Sequence, residues 1–250
     1  MERPSLPIVI AHRGGRKWAP ENTMAAFRMS LAAGVNGIEL DIHRCNTGEL
    51  VVIHDEDVER TTGGAGLIKD MTYSEISRLS AGLWFGPQFA GERIPLLEEV
   101  LDLVDGQIML NIEIKNTPIK YDGIEDDLIK LLNQYRHKEK LIISSFDHQI
   151  LSCIHAQAPS YCLAVLAEAI FVDIGQYARE VGAKFWHPAF DCLRADVLSA
   201  AHKAGLRVNA WTMNSTDQWS QGLTMGLDGI VTDDPKGLLT FLDAVHITKS

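Results

Sequence analysis

Residues 37–44, "GIELDIHR", alternate as a β-strand does, with Glu39, Asp41 and His43 on one face and Ile38, Leu40 and Ile42 on the other. Two carboxylates side by side repel each other, and burying them costs desolvation free energy, so such a face is built to hold positive charge. A second stretch, "NIEIK", repeats the pattern with Asn111, Glu113 and Lys115 on one face. Glu39, Asp41 and Glu113 are three oxygen donors with no thiolate beside them, a set that suits one hard divalent cation, Mg2+ or Ca2+. Arg13 and Lys115 add fixed positive charge, and cations beside a metal imply an anionic substrate, most simply a phosphate ester. His12 and His54 supply groups able to act as general acid and base near neutral pH.

Elements far apart in the chain must bring these residues together. Strand-like segments fall at 8–13, 37–44, 108–115, 141–146, 161–167, 184–189, 206–212 and 228–233. Helical patterns separate them at 23–33, 95–104, 123–135, 148–156, 174–181, 194–204, 215–225 and 236–245. Asp234 with Pro235 marks a helix start, and Gly34 and Gly205 follow helical runs as C-terminal caps. A doubly wound open sheet would share the alternation. Eight strand–helix repeats in 250 residues predict an α/β fold of the (β/α)8 TIM-barrel kind. In such a barrel, residues at the C-terminal strand ends face the site, which is where these polar groups fall.

Residues 46–93 break the rhythm between strand 2 and helix 2, and predict a small insertion, or cap, at the catalytic end of a single domain spanning 1–250. Within it, "VVIHD" (51–55) reads as a short strand returning across the turn Asn46-Thr47-Gly48. Thr72 and Glu75 have the spacing of a capping box.

The chain carries a net charge of −10 with no run of Lys or Arg, which argues against a nucleic-acid partner. No segment approaches the roughly 18 apolar residues of a membrane span, so no stable membrane insertion is expected. The apolar stretch near the N-terminus is short and flanked by Pro7, unlike a secretory signal. Cys45, Cys153, Cys162 and Cys192 lack metal-ligand spacing and read as reduced thiols. These features predict an acidic, cytoplasmic α/β protein acting on a small molecule. Nothing in the sequence sets an oligomeric state.

Each candidate also has a structural reading. Glu39 and Asp41 could be partners in buried ion pairs with Arg13 and Lys115. The glycine pair in "HRGG" is first of all a turn, and Glu21-Asn22-Thr23 could be a helix start with Asn22 as the cap. His137, His148, His155, His187, His202 and His246 have no accompanying cluster and are assigned to surface or packing.

The combination "AHRGG…APENTMAAF", "GIELDI", "VVIHDEDVERTTGG", "IPLLEEVL", "LNIEIK" and "GIVTDDP", from Ile8 to Gly237, resembles the glycerophosphodiester phosphodiesterase family. The resemblance implies a TIM barrel with an insertion after strand 2 that hydrolyses glycerophosphodiesters to sn-glycerol 3-phosphate and an alcohol. It implies His12 and His54 as an acid–base pair, Glu39, Asp41 and Glu113 as metal ligands, and Arg13 and Lys115 on the phosphate. Trp211 matches an aromatic position near the family's glycerol site, and His43 follows the ligand face as a supporting group. "CNTG" at 45–48 departs from the family pattern in a turn. The acidic end of strand 8, Asp233-Asp234-Pro235, lacks a glycine cradle, so the phosphate is expected beside strands 1 to 3. Competing readings are a lysophospholipase D-like or phospholipase D-like enzyme, with "LWFGPQF" as an apolar lip, and a phosphate-binding scaffold. A Schiff-base enzyme using Lys115 is disfavoured because Glu113 would favour the ammonium form.

Overall fold

Strand alternation dominates the architecture. The computed structural model describes residues 6–249, with side chains through residue 245. The strands run in chain order as β1 (Ile8–Ala11), β2 (Gly37–Arg44), β3 (Leu50–Val52), β4 (Met109–Ile114), β5 (Leu141–Ser145), β6 (Cys162–Ala167), β7 (Phe185–Pro188), β8 (Arg207–Ala210) and β9 (Gly229–Thr232). All except β3 pair in parallel with their sequence neighbours, and β1 pairs with both β9 and β2, which closes an eight-stranded barrel. The helices are α1 (Met24–Ala33), α2 (Glu59–Thr62), α3 (Tyr73–Ile76), α4 (Leu97–Val104), α5 (Ile124–Leu132), α6 (His148–Gln157), α7 (Ile174–Val181), α8 (Ala195–Lys203), α9 (Thr216–Met225) and α10 (Pro235–Lys249). Leaving out the two single-turn helices α2 and α3, one helix follows each barrel strand. This is the expected (β/α)8 TIM barrel.

The period of two sorts each strand's side chains between the helix layer and the barrel interior. Ile38, Leu40 and Ile42 of β2, with Leu110, Ile112 and Ile114 of β4, join the main apolar core against the helices. Their alternates point inward. At the start of β5, β6 and β7, Ile142, Ala164 and Phe185 form a separate apolar cluster. Toward the strand ends the interior turns polar, with Asn111, Glu113, Ser144, His187 and Asn209 all buried. An apolar floor below and polar walls above set the site at the C-terminal end.

Between β2 and α4 the chain makes the excursion that broke the sequence rhythm. The returning segment forms β3, antiparallel to β2 with Ile42 opposite Val52 and Arg44 opposite Leu50, so His54 lies just past its end. Val51, Ile53, Val58, Ile68, Ile76 and Ile94 give the excursion its own small apolar core. The capping box forms, with Thr72 accepting from the Glu75 amide and Glu75 accepting from the Thr72 amide.

The start of α1 corrects one expectation. Thr23, not Asn22, is the N-cap, its hydroxyl accepting from the Ala26 amide, a contact worth about 1 kcal/mol. Asn22 instead has φ +56° and turns its amide inward to Asp41. The turn after β1 is tight, with Gly14 at φ +79° against α1, where a Cβ would come within 2.8 Å of the Ala26 methyl carbon. That turn places Arg13 at φ +50° and aims its backbone N–H at Glu39.

Candidate active site

Parallel register places the acidic residues side by side. Glu39 pairs with Asn111 and Asp41 with Glu113 across β2 and β4, all inward-facing. Carboxylate oxygens of Glu39, Asp41 and Glu113 lie within 4.8 Å of one another, and all three residues are buried. Burial, then Asp41 and Glu113, pushes the Glu39 carboxyl well above its ordinary range. Burial and Asp41 raise Glu113 as well. Burial would also raise Asp41, but Arg13 and Lys115 hold it far below the usual carboxylate range. Glu39 Oε1 is buried and accepts no hydrogen bond among the described residues. Three converging carboxylates with an unpartnered buried oxygen fit a hard divalent cation bound through oxygen.

Two cations flank this cluster. Arg13 Nε is 3.3 Å from Asp41 Oδ2, and its Nη1 donates to Glu21 Oε1 at 2.8 Å. Lys115 Nζ donates to Glu113 Oε1 at 2.8 Å and lies 3.7 Å from Asp41 Oδ1. Burial opposes the charge on Lys115, but Asp41 and Glu113 outweigh it and raise its pKa, so the side chain is an ammonium and not a free amine. The buried ion pairs foreseen as an alternative do form, on the same side chains that line the cavity. The pairing leaves the three carboxylates sharing two cations.

His12 and His54 are each held by a carboxylate. His12 Nδ1 donates to Asp233 Oδ1 at 2.6 Å, which leaves Nε2 as the free nitrogen, 4.0 Å from Glu39 Oε2. Burial lowers the His12 pKa despite Asp233, so the imidazole is neutral near pH 7. His54 Nδ1 donates to Asp55 Oδ1 at 2.6 Å, and its Nε2 accepts from Lys115 Nζ at 3.2 Å. His43 supports this arrangement from below. Its Nε2 donates to the His54 carbonyl at 3.0 Å, and its Nδ1 accepts from the Tyr121 hydroxyl at 2.7 Å. Burial takes His43 down to about 4, so it works as a neutral strut.

A cavity of about 250 Å³ is lined by His12, Arg13, Glu39, His54, Asn111, Glu113 and Lys115 on one side, and by Phe146, Leu166, Glu168, His187, Trp211 and Val231 from the later strands. Trp211 Nε1 donates to the His187 carbonyl at 2.8 Å, and its ring meets Phe146 edge-on at 5.6 Å. The candidate catalytic, metal and substrate residues, Asp41 included through its contacts with Arg13 and Lys115, therefore gather around one space. Asp233 explains the acidic end of the last strand: it accepts from His12 and from Asn214 Nδ2.

Several residues at the site escaped sequence reasoning. His187, assigned to surface or packing, is 1 % exposed and lines the cavity, with burial lowering its pKa to about 3. Asp233, Asp55, Glu21 and Arg60 hold the histidines and arginines in place. Their neighbours in sequence gave some notice, since Asp55 directly follows His54 and Glu21 precedes Asn22. The remaining histidines match their assignment where described. His148 bonds Tyr177 and the Leu166 carbonyl, while His137 and His202 meet Asp105 and Asp228. The His246 side chain lies outside the described residues.

Comparison with known proteins identifies the family. The family model described as the glycerophosphoryl diester phosphodiesterase family matches residues 12–237. A glycerophosphodiester phosphodiesterase of Caldanaerobacter subterraneus is 42% identical over 236 residues, 94% of this chain and 97% of the relative. One from Bacillus altitudinis is 39% identical over 231 residues, covering 91% of this chain and 94% of the relative. Among solved structures, an Oleispira antarctica phosphodiesterase in complex with the product sn-glycerol-3-phosphate superimposes with a TM-score of 0.88 at 29% identity, over 95% of this chain and 97% of that one. The chain belongs to the glycerophosphoryl diester phosphodiesterase family.

Proposed function

We propose that this enzyme cleaves small glycerophosphodiesters, such as glycerophosphocholine and glycerophosphoethanolamine, to sn-glycerol 3-phosphate and an alcohol, with His12 and His54 moving the protons. The family relationship makes the chain a glycerophosphodiester phosphodiesterase, which displaces the scaffold reading. The observation that carries the finer reading is two histidine–carboxylate pairs opening on the same cavity as a three-carboxylate cluster.

Glu39, Asp41 and Glu113 would hold one divalent cation, Mg2+ or Ca2+. When bound, it supplies positive charge to the phosphoryl oxygens as the reaction proceeds. Arg13 and Lys115 bind the phosphate, and their protein partners keep them charged and oriented. The glycerol hydroxyl next to the ester is tethered near phosphorus and gains a large effective molarity as the attacking group. Its oxygen bonds to phosphorus as its proton passes to one histidine. The bond from phosphorus to the alcohol breaks, and the other histidine, which enters the cycle as its imidazolium with a proton on Nε2, protonates the departing oxygen. Water then opens the five-membered cyclic phosphate with the histidine roles exchanged, which restores both groups. Asp233 and Asp55 stabilise each imidazolium in turn. Trp211, fixed by its bond to the His187 carbonyl, presents an apolar wall to the glycerol carbons.

Small water-soluble substrates suit a cytoplasmic enzyme, a placement supported by the four free cysteines. Among the described residues, no helix is long and apolar enough to cross a membrane. The lysophospholipase D-like reading has one observation in its favour, since Leu83 and Trp84 on the insertion are 57% and 43% exposed. The test is release of glycerol 3-phosphate from glycerophosphocholine and glycerophosphoethanolamine against release of choline from lysophosphatidylcholine. Faster turnover of the deacylated diesters supports the proposal. Preference for the lipid favours the second reading, and no turnover of either removes both.

A further inference from the structure

Four hydrogen bonds from one side chain join two loops beside the site. Arg60, in the single-turn helix α2 of the insertion, uses all three guanidinium nitrogens on two carboxylates. Nε and Nη2 donate to Asp55 Oδ2 and Oδ1 at 2.6 and 3.1 Å. Nη2 and Nη1 donate to Glu21 Oε1 and Oε2 at 2.7 and 3.1 Å. Asp55 in turn takes the His54 Nδ1 proton, and Glu21 takes Arg13 Nη1.

The contacts close into a circuit. From Asp41 the path runs to Arg13, Glu21, Arg60, Asp55, His54 and Lys115, and Lys115 returns to Asp41. Arg60 is its only member drawn from the insertion beyond the His54-Asp55 pair, and it ties the loop carrying His54 to the loop carrying Arg13. A carboxylate with one partner rotates freely about its last bond. Asp55 is gripped at both oxygens, so the oxygen left for His54 has a fixed direction. A histidine on a loop past a strand end has no sheet register to orient it, and a fixed acceptor on Nδ1 does that work.

We propose that Arg60 is a positioning residue for His54: by bridging Asp55 to Glu21 it fixes the imidazole with Nδ1 protonated and Nε2 turned to the cavity. The proposal rests on the reading that His54 takes part in the chemistry. Arginine is required because only its planar fork spans two carboxylates at once, and lysine offers a single donor point.

The experiment measures kcat and KM for glycerophosphocholine in Arg60→Met, Arg60→Lys, His54→Ala and the double variant His54→Ala/Arg60→Met, with a thermal melt of each. Arg60→Met is expected to lower kcat by about 10- to 100-fold, the scale for an outer group that orients a catalytic one, with little change in KM. Arg60→Lys should recover part of that loss. The double variant should be no slower than His54→Ala alone, because an effect exerted through His54 vanishes with it. Wild-type kcat in Arg60→Met, or an equal loss in the His54→Ala background, overturns the role given to Arg60. Should Arg60→Met fail to fold, Asp55→Asn carries the same test from the other side of the contact, and wild-type kcat there overturns the proposal. Wild-type kcat in His54→Ala is a separate result, and overturns the reading on which the proposal rests.

Discussion

Asp41 lies directly across from Glu113 in the parallel register of β2 and β4, yet the two carboxyls are pushed in opposite directions. Burial and Asp41 raise Glu113, whereas Arg13 and Lys115, against the effect of burial, hold Asp41 ionised. Glu39 is raised further still. The protein's own cations satisfy one carboxylate and leave two destabilised as anions, a deficit of positive charge that a bound divalent cation would fill.

Removing one of these like charges is therefore expected to cost binding and not folding. Glu39→Gln should weaken Mg2+ or Ca2+ affinity in a calorimetric titration, while its melting temperature in chelator is no lower than that of the wild type. Unchanged affinity would take Glu39 out of the cluster.

His12→Ala and His54→Ala should each lower kcat by roughly a hundredfold or more and leave KM nearly unchanged, the pattern of groups that act in the chemical step. Steady-state kinetics on glycerophosphocholine decides this. Near wild-type kcat in both variants would discard the acid–base assignment.

How much of this was legible in the sequence depends on the range of the interaction. The period of two carried the barrel strands and put Glu39, Asp41, Glu113 and Lys115 on interior faces, because side-chain direction on a strand is a local property. The returning strand β3 was visible for the same reason. His12 with Asp233 was not, since its partner lies 221 residues away and only barrel closure brings β1 beside β9. His187 has no acidic or basic neighbour in sequence and looked like a packing residue, yet the barrel interior makes it part of the cavity wall. The helix start at Glu21-Asn22-Thr23 was legible as one of two readings, but the cap is Thr23, because the Asn22 backbone enters the left-handed region to reach Asp41, a tertiary demand no local pattern encodes.

Glu21 gives the protein a defined acid sensitivity. Burial would raise its pKa, but hydrogen bonds from Arg60 and Arg13 hold it at about 2 in the folded state, against 4.5 ordinarily. A folded pKa depressed in this way contributes stability that is complete above about pH 4.5 and is lost as the pH falls toward 2. The contribution is of order 3 kcal/mol. Glu21→Gln should be less stable than wild type at pH 7, and the difference should shrink through that acid window in urea titrations at stepped pH. A constant difference across the window would show that Glu21 does not titrate this way.

Attack by the neighbouring hydroxyl has its own signature. A substrate lacking that hydroxyl should still compete for binding, since on the proposed reading Arg13 and Lys115 would still meet its phosphate, but turn over very slowly. Trp211→Ala should slow glycerol diesters more than simple phosphodiesters. Hydrolysis of the deoxy analogue at the parent rate would make water the direct nucleophile.

The central claim is that Glu39, Asp41 and Glu113 hold a divalent cation on which glycerophosphodiester hydrolysis depends. Its most direct test is glycerol 3-phosphate release from glycerophosphocholine by exhaustively chelated protein, before and after adding back Mg2+ or Ca2+. The account predicts loss of activity on chelation and recovery with one of these ions. Full activity in the chelated protein would contradict it.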